Sequence, residues 1–116
     1  MATFSAVIAS GSTNGRQILI AATATAGTLL HTCHATDIDE VTVTLSLPTH
    51  SAAVVATLEV GGVTSPNDLT VVTVPLKAGG IVALYRQRLT GGVVVRCFAA
   101  TTNVVVAAVT VDRISA

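Results

Sequence analysis

A chain of 116 residues with six basic and six acidic side chains carries no net charge, and only 10% of it is charged, which excludes the basic footprint selected by nucleic acid or an anionic membrane surface. Hydrophobic residues make up 51%, yet the longest purely apolar stretches, such as 104–109, fall far short of the roughly 20 residues of a spanning helix. This length supports one cooperative core, and so little charge leaves apolar surface that other chains are expected to cover.

Residues 1–15 read as an extended N-terminal arm. Their apolar segment is short, broken by serine and without the basic leader of a secretory signal, and Ser10-Gly11-Ser12-Thr13-Asn14-Gly15 is a flexible, turn-forming linker. Strands follow at 17–23 and 28–35, separated by Ala26-Gly27. An acidic turn at 37–40 opens a strand at 41–47, where Val41, Val43, Leu45 and Leu47 share one face and Thr42, Thr44 and Ser46 the other. Pro48-Thr49-His50-Ser51 connects tightly into 53–60, where Val54, Ala56, Leu58 and Val60 share a face and Glu59 points away; the two strands are expected to pair as a hairpin.

Gly61-Gly62 ends that strand, and Ser65-Pro66-Asn67-Asp68 supplies a polar loop into 69–76. Pro75 cannot donate a ladder hydrogen bond, so this strand is expected at a sheet edge or to stop there. Turns at 77–80, 90–92 and 101–103 lead into strands at 81–89, 93–99 and 104–114. Eight strand candidates without a helical period predict an all-β fold: a single antiparallel β-sandwich or jelly-roll-like domain over 16–116, with the arm over 1–15. Glycine pairs recur at uneven intervals, which fits turn chemistry rather than a repeat.

Side chains that perform chemistry are few and scattered. In a strand His31 and Cys33 share a face while His34 points opposite, so three metal ligands do not converge from 31–40 without a bend. Asp37, Asp39 and Glu40 lack the glycine and alternation of a calcium loop and read as a solvated turn. There is no G-x-S-x-G elbow or thiol-protease motif, and His50 beside Ser51 reads as a turn histidine. No helix follows the glycine pairs to cradle a phosphate, and Phe4, Tyr85 and Phe98 are too few aromatics for a sugar platform. No catalytic residue, cofactor, metal or small-molecule ligand is expected, and the chain is read as non-enzymatic. Cys33 and Cys97 read as buried free thiols, with a bridge between them as the alternative.

Arg86-Gln87-Arg88 is the one local concentration of positive charge. Its arginines share a strand face, as a solvated edge that discourages aggregation or as an ionic contact with an acidic patch on a partner protein. Partner contact is assigned to Phe4, Arg86 and Arg88.

From about residue 30 onward the chain resembles small structural proteins of tailed-phage virions, in particular capsid decoration or cement proteins. The resemblance lies in Asp37-Ile38-Asp39-Glu40-Val41, Leu58-Glu59-Val60-Gly61-Gly62, Ser65-Pro66-Asn67-Asp68-Leu69, 89–99, and the closing stretch from Thr102-Asn103 to Asp112-Arg113-Ile114. Residues 1–25 lie outside it. The resemblance implies a protein made in the host bacterial cytoplasm that binds the major capsid protein on the capsid exterior, usually as a homotrimer, and reinforces the shell. The alternative within the same class of particle is a tail or fibre accessory module for host attachment.

Overall fold

Period-two alternation of small apolar residues with threonine gives each strand one dry face, and two such faces bury each other most completely as stacked sheets. The computed structural model describes residues 3–48, 52–74 and 83–115, with backbone alone at 83 and 84. It shows nine strands and, among the described residues, no helix: β1 (Thr3–Val7), β2 (Ile18–Leu19), β3 (Thr28–Thr32), β4 (Ile38–Ser46), β5 (Val54–Val60), β6 (Leu69–Val74), β7 (Ala83–Leu89), β8 (Val94–Ala99) and β9 (Val106–Ser115). The first sheet runs β1-β9-β4-β7, with β2 also paired to β9, and the second runs β3-β8-β5-β6. Every pairing is antiparallel. The all-β sandwich expected from the alternation is the fold observed.

The core between the sheets is made almost wholly of small aliphatic side chains. Val41, Val43 and Leu45 from β4 and Ala107 and Val111 from β9 face Ala56 and Leu58 from β5 and Val95, Cys97 and Ala99 from β8. Tyr85 is the aromatic that packs partly against this cluster. Cys33 and Cys97 are both buried and unbridged. Burial raises the Cys97 thiol to about 12, helped by the Glu59 charge. Burial likewise raises Cys33 to about 11, with the Asp39 charge adding to it and Arg113 opposing.

Several expectations change. The strands at 41–47 and 53–60 do not form a hairpin: β4 lies in the first sheet and β5 in the second. Alternation reports that a strand has a dry face but not which strand lies beside it, and here the two dry faces oppose each other across the core. The consecutive pair that does share a ladder is β5 with β6, from Val54↔Val74 to Glu59↔Leu69. Of the acidic turn expected at 37–40, residues 38–40 are instead the start of β4, in which Asp39 occupies an inward position. Glu59 does point away from the core face, yet it is only 1% exposed, because Gly27 covers it and donates its amide to Oε1 at 2.7 Å. The predicted strand at 17–23 shrinks to β2, although the Ile20 amide still bonds the Val105 carbonyl.

The N-terminal segment is docked rather than free. Ten-residue β9 uses one side for β4, and its other side is satisfied by β1 and β2. The 10–15 linker is also pinned. Gly11 donates to the Leu30 carbonyl at 3.0 Å and sits so close to the Leu29 backbone that a β-carbon would collide with it. β6 is an edge strand, as expected of the strand carrying Pro75, while Pro75 itself, the 77–80 turn and His50 lie outside the described residues.

The thiol arrangement is directly testable. Both cysteines should resist a thiol reagent in the native protein near neutral pH, and two thiols per chain should react once it is denatured; fewer than two in denaturant contradicts the unbridged core.

Candidate functional site

Two polar constellations interrupt the apolar pattern, one on each face of the β9-β4 ladder. The inner one begins where the alternation of β4 places Asp39 in line with Val41, Val43 and Leu45, on the core side. A lone carboxylate there would be costly, and burial alone pushes its pKa up. Register places Arg113 of β9 opposite it. Arg113 Nε donates to Asp39 Oδ1 at 2.7 Å and Nη2 to Oδ2 at 3.0 Å, a two-pronged charge-assisted contact. His31 Nε2 reaches Oδ2 at 2.8 Å, and the His34 amide donates to the same oxygen at 3.1 Å. These donors outweigh the burial and hold the carboxyl well below the usual carboxylate range.

His31 is itself fixed from behind. The Ser10 amide donates to Nδ1 at 3.0 Å, which makes Nδ1 an acceptor and leaves the ring proton on Nε2, the tautomer that can donate to Asp39. Ser10 Oγ lies 3.3 Å from Nδ1 and accepts the Thr32 amide at 2.6 Å. Ser10, His31 and Asp39 therefore stand in the order of a nucleophile, base and orienting acid. The chemistry differs: the Nδ1 lone pair that would face the hydroxyl already receives the Ser10 backbone amide, and the Asp39 carboxylate is bonded by Arg113. This arrangement does ionic and hydrogen-bonding work, binding β3, β4, β9 and the 8–12 segment into one clasp.

The bend after β3 also brings three candidate metal ligands together, which a straight strand would not do. Donor atoms of His31, Cys33 and Asp39 all lie within 4.8 Å of one another, and all three residues are buried. The donor types suit a zinc-like ion. Their bonding does not, because Asp39 already accepts four hydrogen bonds and both His31 nitrogens are engaged. A cation would have to displace Arg113, and the group fits an ion pair better than a metal.

The outer constellation lies on the opposite side of the same strands. Glu40 points outward and is held by both arginines of β7. Arg86 Nε and Nη2 donate to Oε1 at 3.2 and 2.8 Å, and Arg88 Nε to Oε2 at 3.0 Å. These bonds hold the Glu40 carboxyl below its ordinary value. On the other flank Asp112 of β9 registers opposite Glu40, exposed and without a hydrogen-bond partner among the described residues. One register step away, Phe4, Ile114 and Ile38 form an apolar row across β1, β9 and β4. Phe4 is 67% exposed. An open hollow of about 320 Å³ lies between the rows, lined among others by Phe4, Ala6, Glu40, Arg88, Asp112 and Ile114.

Of the residues assigned to partner contact, Phe4 and Arg88 thus share one hollow, and Arg86 stands beside it on the same face. The acid nearest both arginines belongs to their own chain. The buried clasp was missed by sequence reasoning, although its signal is there: Asp39 and Arg113 share the parity of the dry faces of their strands.

Because the folded-state acidity of Asp39 lies below that of an unfolded aspartate, the stability it contributes is complete above about pH 4 and is lost progressively as pH falls further. Asp39→Asn should lower the unfolding free energy by about 3–5 kcal/mol and flatten this acid slope, since Arg113 would be left without its charge partner. Denaturant titrations across the acid range check both; an unchanged slope contradicts the clasp.

In comparison with known proteins, no protein-family model matches the chain and no curated protein sequence matches it.

Proposed function

We propose that the protein is a non-enzymatic structural subunit of a phage particle, which binds the outside of the capsid as a decoration protein and holds shell subunits together. The observation that carries this reading is the apolar border of the first sheet. Phe4, Ile8, Leu19 and Ile38 remain 39–67% exposed along strands β1, β2 and β4 and the segment that follows β1. An exposed aromatic in a row with Ile114 and Ile38 is a suitable anchor for a hydrophobic site on another protein. The resemblance noted from 30 onward supports the shell as that protein.

A subunit of this kind works by mass action. If it binds the assembled shell and not dissociated shell protein, it stabilises the shell by its binding free energy, and no moving part is required.

Quantitative counting of this protein in purified particles tests the reading. Hundreds of copies support capsid decoration, whereas a handful points to a tail or fibre accessory module, and none overturns both. For the anchor itself, Phe4→Ala should weaken occupancy on shells by about tenfold or more while the free protein melts normally; unchanged occupancy removes Phe4 from the contact.

A further inference from the structure

The charges on the outer face of the first sheet are arranged with a symmetry that the shell-binding reading does not require. Asp112 of β9 and Arg88 of β7 are both registered to Glu40 of β4, one strand away on either side. Across these three strands one row therefore reads Asp112, Glu40, Arg88. Glu40 is matched by the bonds it receives from Arg86 and Arg88. Two arginines against one shared glutamate leave a positive excess on the β7 side, and on the β9 side Asp112 feels the Arg86 charge but makes no direct ion pair or hydrogen bond among the described residues. Both terminal nitrogens of Arg88 lack a hydrogen-bond partner among the described residues.

A half-turn about an axis lying over β4 and parallel to it exchanges the β9 and β7 positions while keeping the row level unchanged. The two ends of the row are thereby complementary to those of the copy: Asp112 meets the second molecule's Arg88 and Arg88 meets its Asp112, while Glu40, on the axis, faces its own counterpart with each carboxylate already bonded to Arg86 and Arg88. Thr42 and Thr44 of β4 and Ala108 and Thr110 of β9 are short outward side chains, so a second sheet can stack at about the usual 10 Å. On the same axis Ile38, 39% exposed, would lie against its own counterpart.

We propose that two copies of this chain pair face to face through the outer surface of the β1-β9-β4-β7 sheet, about a two-fold axis along β4, with reciprocal Asp112–Arg88 ion pairs. Such a contact is isologous, so each residue pair is made twice. It is a contact between copies in the free protein, distinct from the three-fold arrangement that the resemblance implies, and does not depend on shell binding.

The test is the mass of the purified full chain by sedimentation equilibrium, for wild type, Asp112→Arg and Arg88→Asp. Wild type should show twice the 11.7 kDa chain mass. Each variant alone places like charges against each other and should dimerise at least about tenfold more weakly. An equimolar mixture of the two variants restores both opposite-charge pairs and should return the dimer. A monomeric or trimeric wild type overturns the proposal, as do variants that dimerise like wild type, or folded variants whose mixture stays monomeric. Wild type alone supplies an independent readout: its dimer should weaken from low to molar salt, and indifference to salt overturns the ionic pairing. Since no shell is present, failure here leaves the capsid reading to its own test.

Discussion

A carboxylate taken out of water at Asp39 is the constraint on which the rest of this structure turns. It sits in the dry face of β4, among valines and leucines that could not solvate it, and is tolerable only because four donors converge on its two oxygens. Those donors come from separate parts of the chain. Arg113 brings β9 into register beside β4, His31 fixes the end of β3 in the opposite sheet, and Ser10, through His31, anchors the segment leaving β1. One buried charge thus ties both sheets and the N-terminal segment together. A core of valine, alanine and leucine excludes a one-residue slip, which would turn a dry face outward, but does little to choose between registers two residues apart. The ion pair adds the directional requirement, because slipping β9 by two residues would keep its dry face inward yet carry Arg113 away from Asp39.

The same two strands carry opposite kinds of information on their two sides. Inward, charge is paired and closed. Outward, the positions next in sequence, Glu40 and Asp112, belong to a row with opposite charges at its two ends and an apolar row beside it. The inner clasp fixes the register of β4 against β9 and so fixes the spacing of the outer row. Recognition by this face, whether of the shell or of a second copy, would therefore depend on a side chain that no partner touches.

Much of the fold was legible because threonine and valine alternate so regularly. The dry faces of β4 and β5, the edge position of β6, and the free thiols at Cys33 and Cys97 follow from parity and residue type. Strand neighbours were not legible, since alternation carries no address: 41–47 and 53–60 looked like a hairpin and proved to lie in opposite sheets. The acidic stretch at 37–40 read as a solvated turn because three carboxylates in four residues normally seek water. Its real role depends on Arg113, more than seventy residues away, and long-range pairing leaves no local mark. On the outer face, the structure shows placement alone. Phe4, Arg86 and Arg88 share one face, whereas the contribution of Glu40 and Asp112 emerged only once register placed them between and opposite the arginines.

On the proposed reading, the outer face of the first sheet binds protein. Hydroxyl-radical footprinting of Phe4 and Ile38 in free protein at high dilution and in purified particles tests it most directly. Both side chains are exposed in the isolated chain, so the account predicts strong labelling when free and marked protection in the particle. Equal labelling in the two states, with the protein present in the particle, would contradict it.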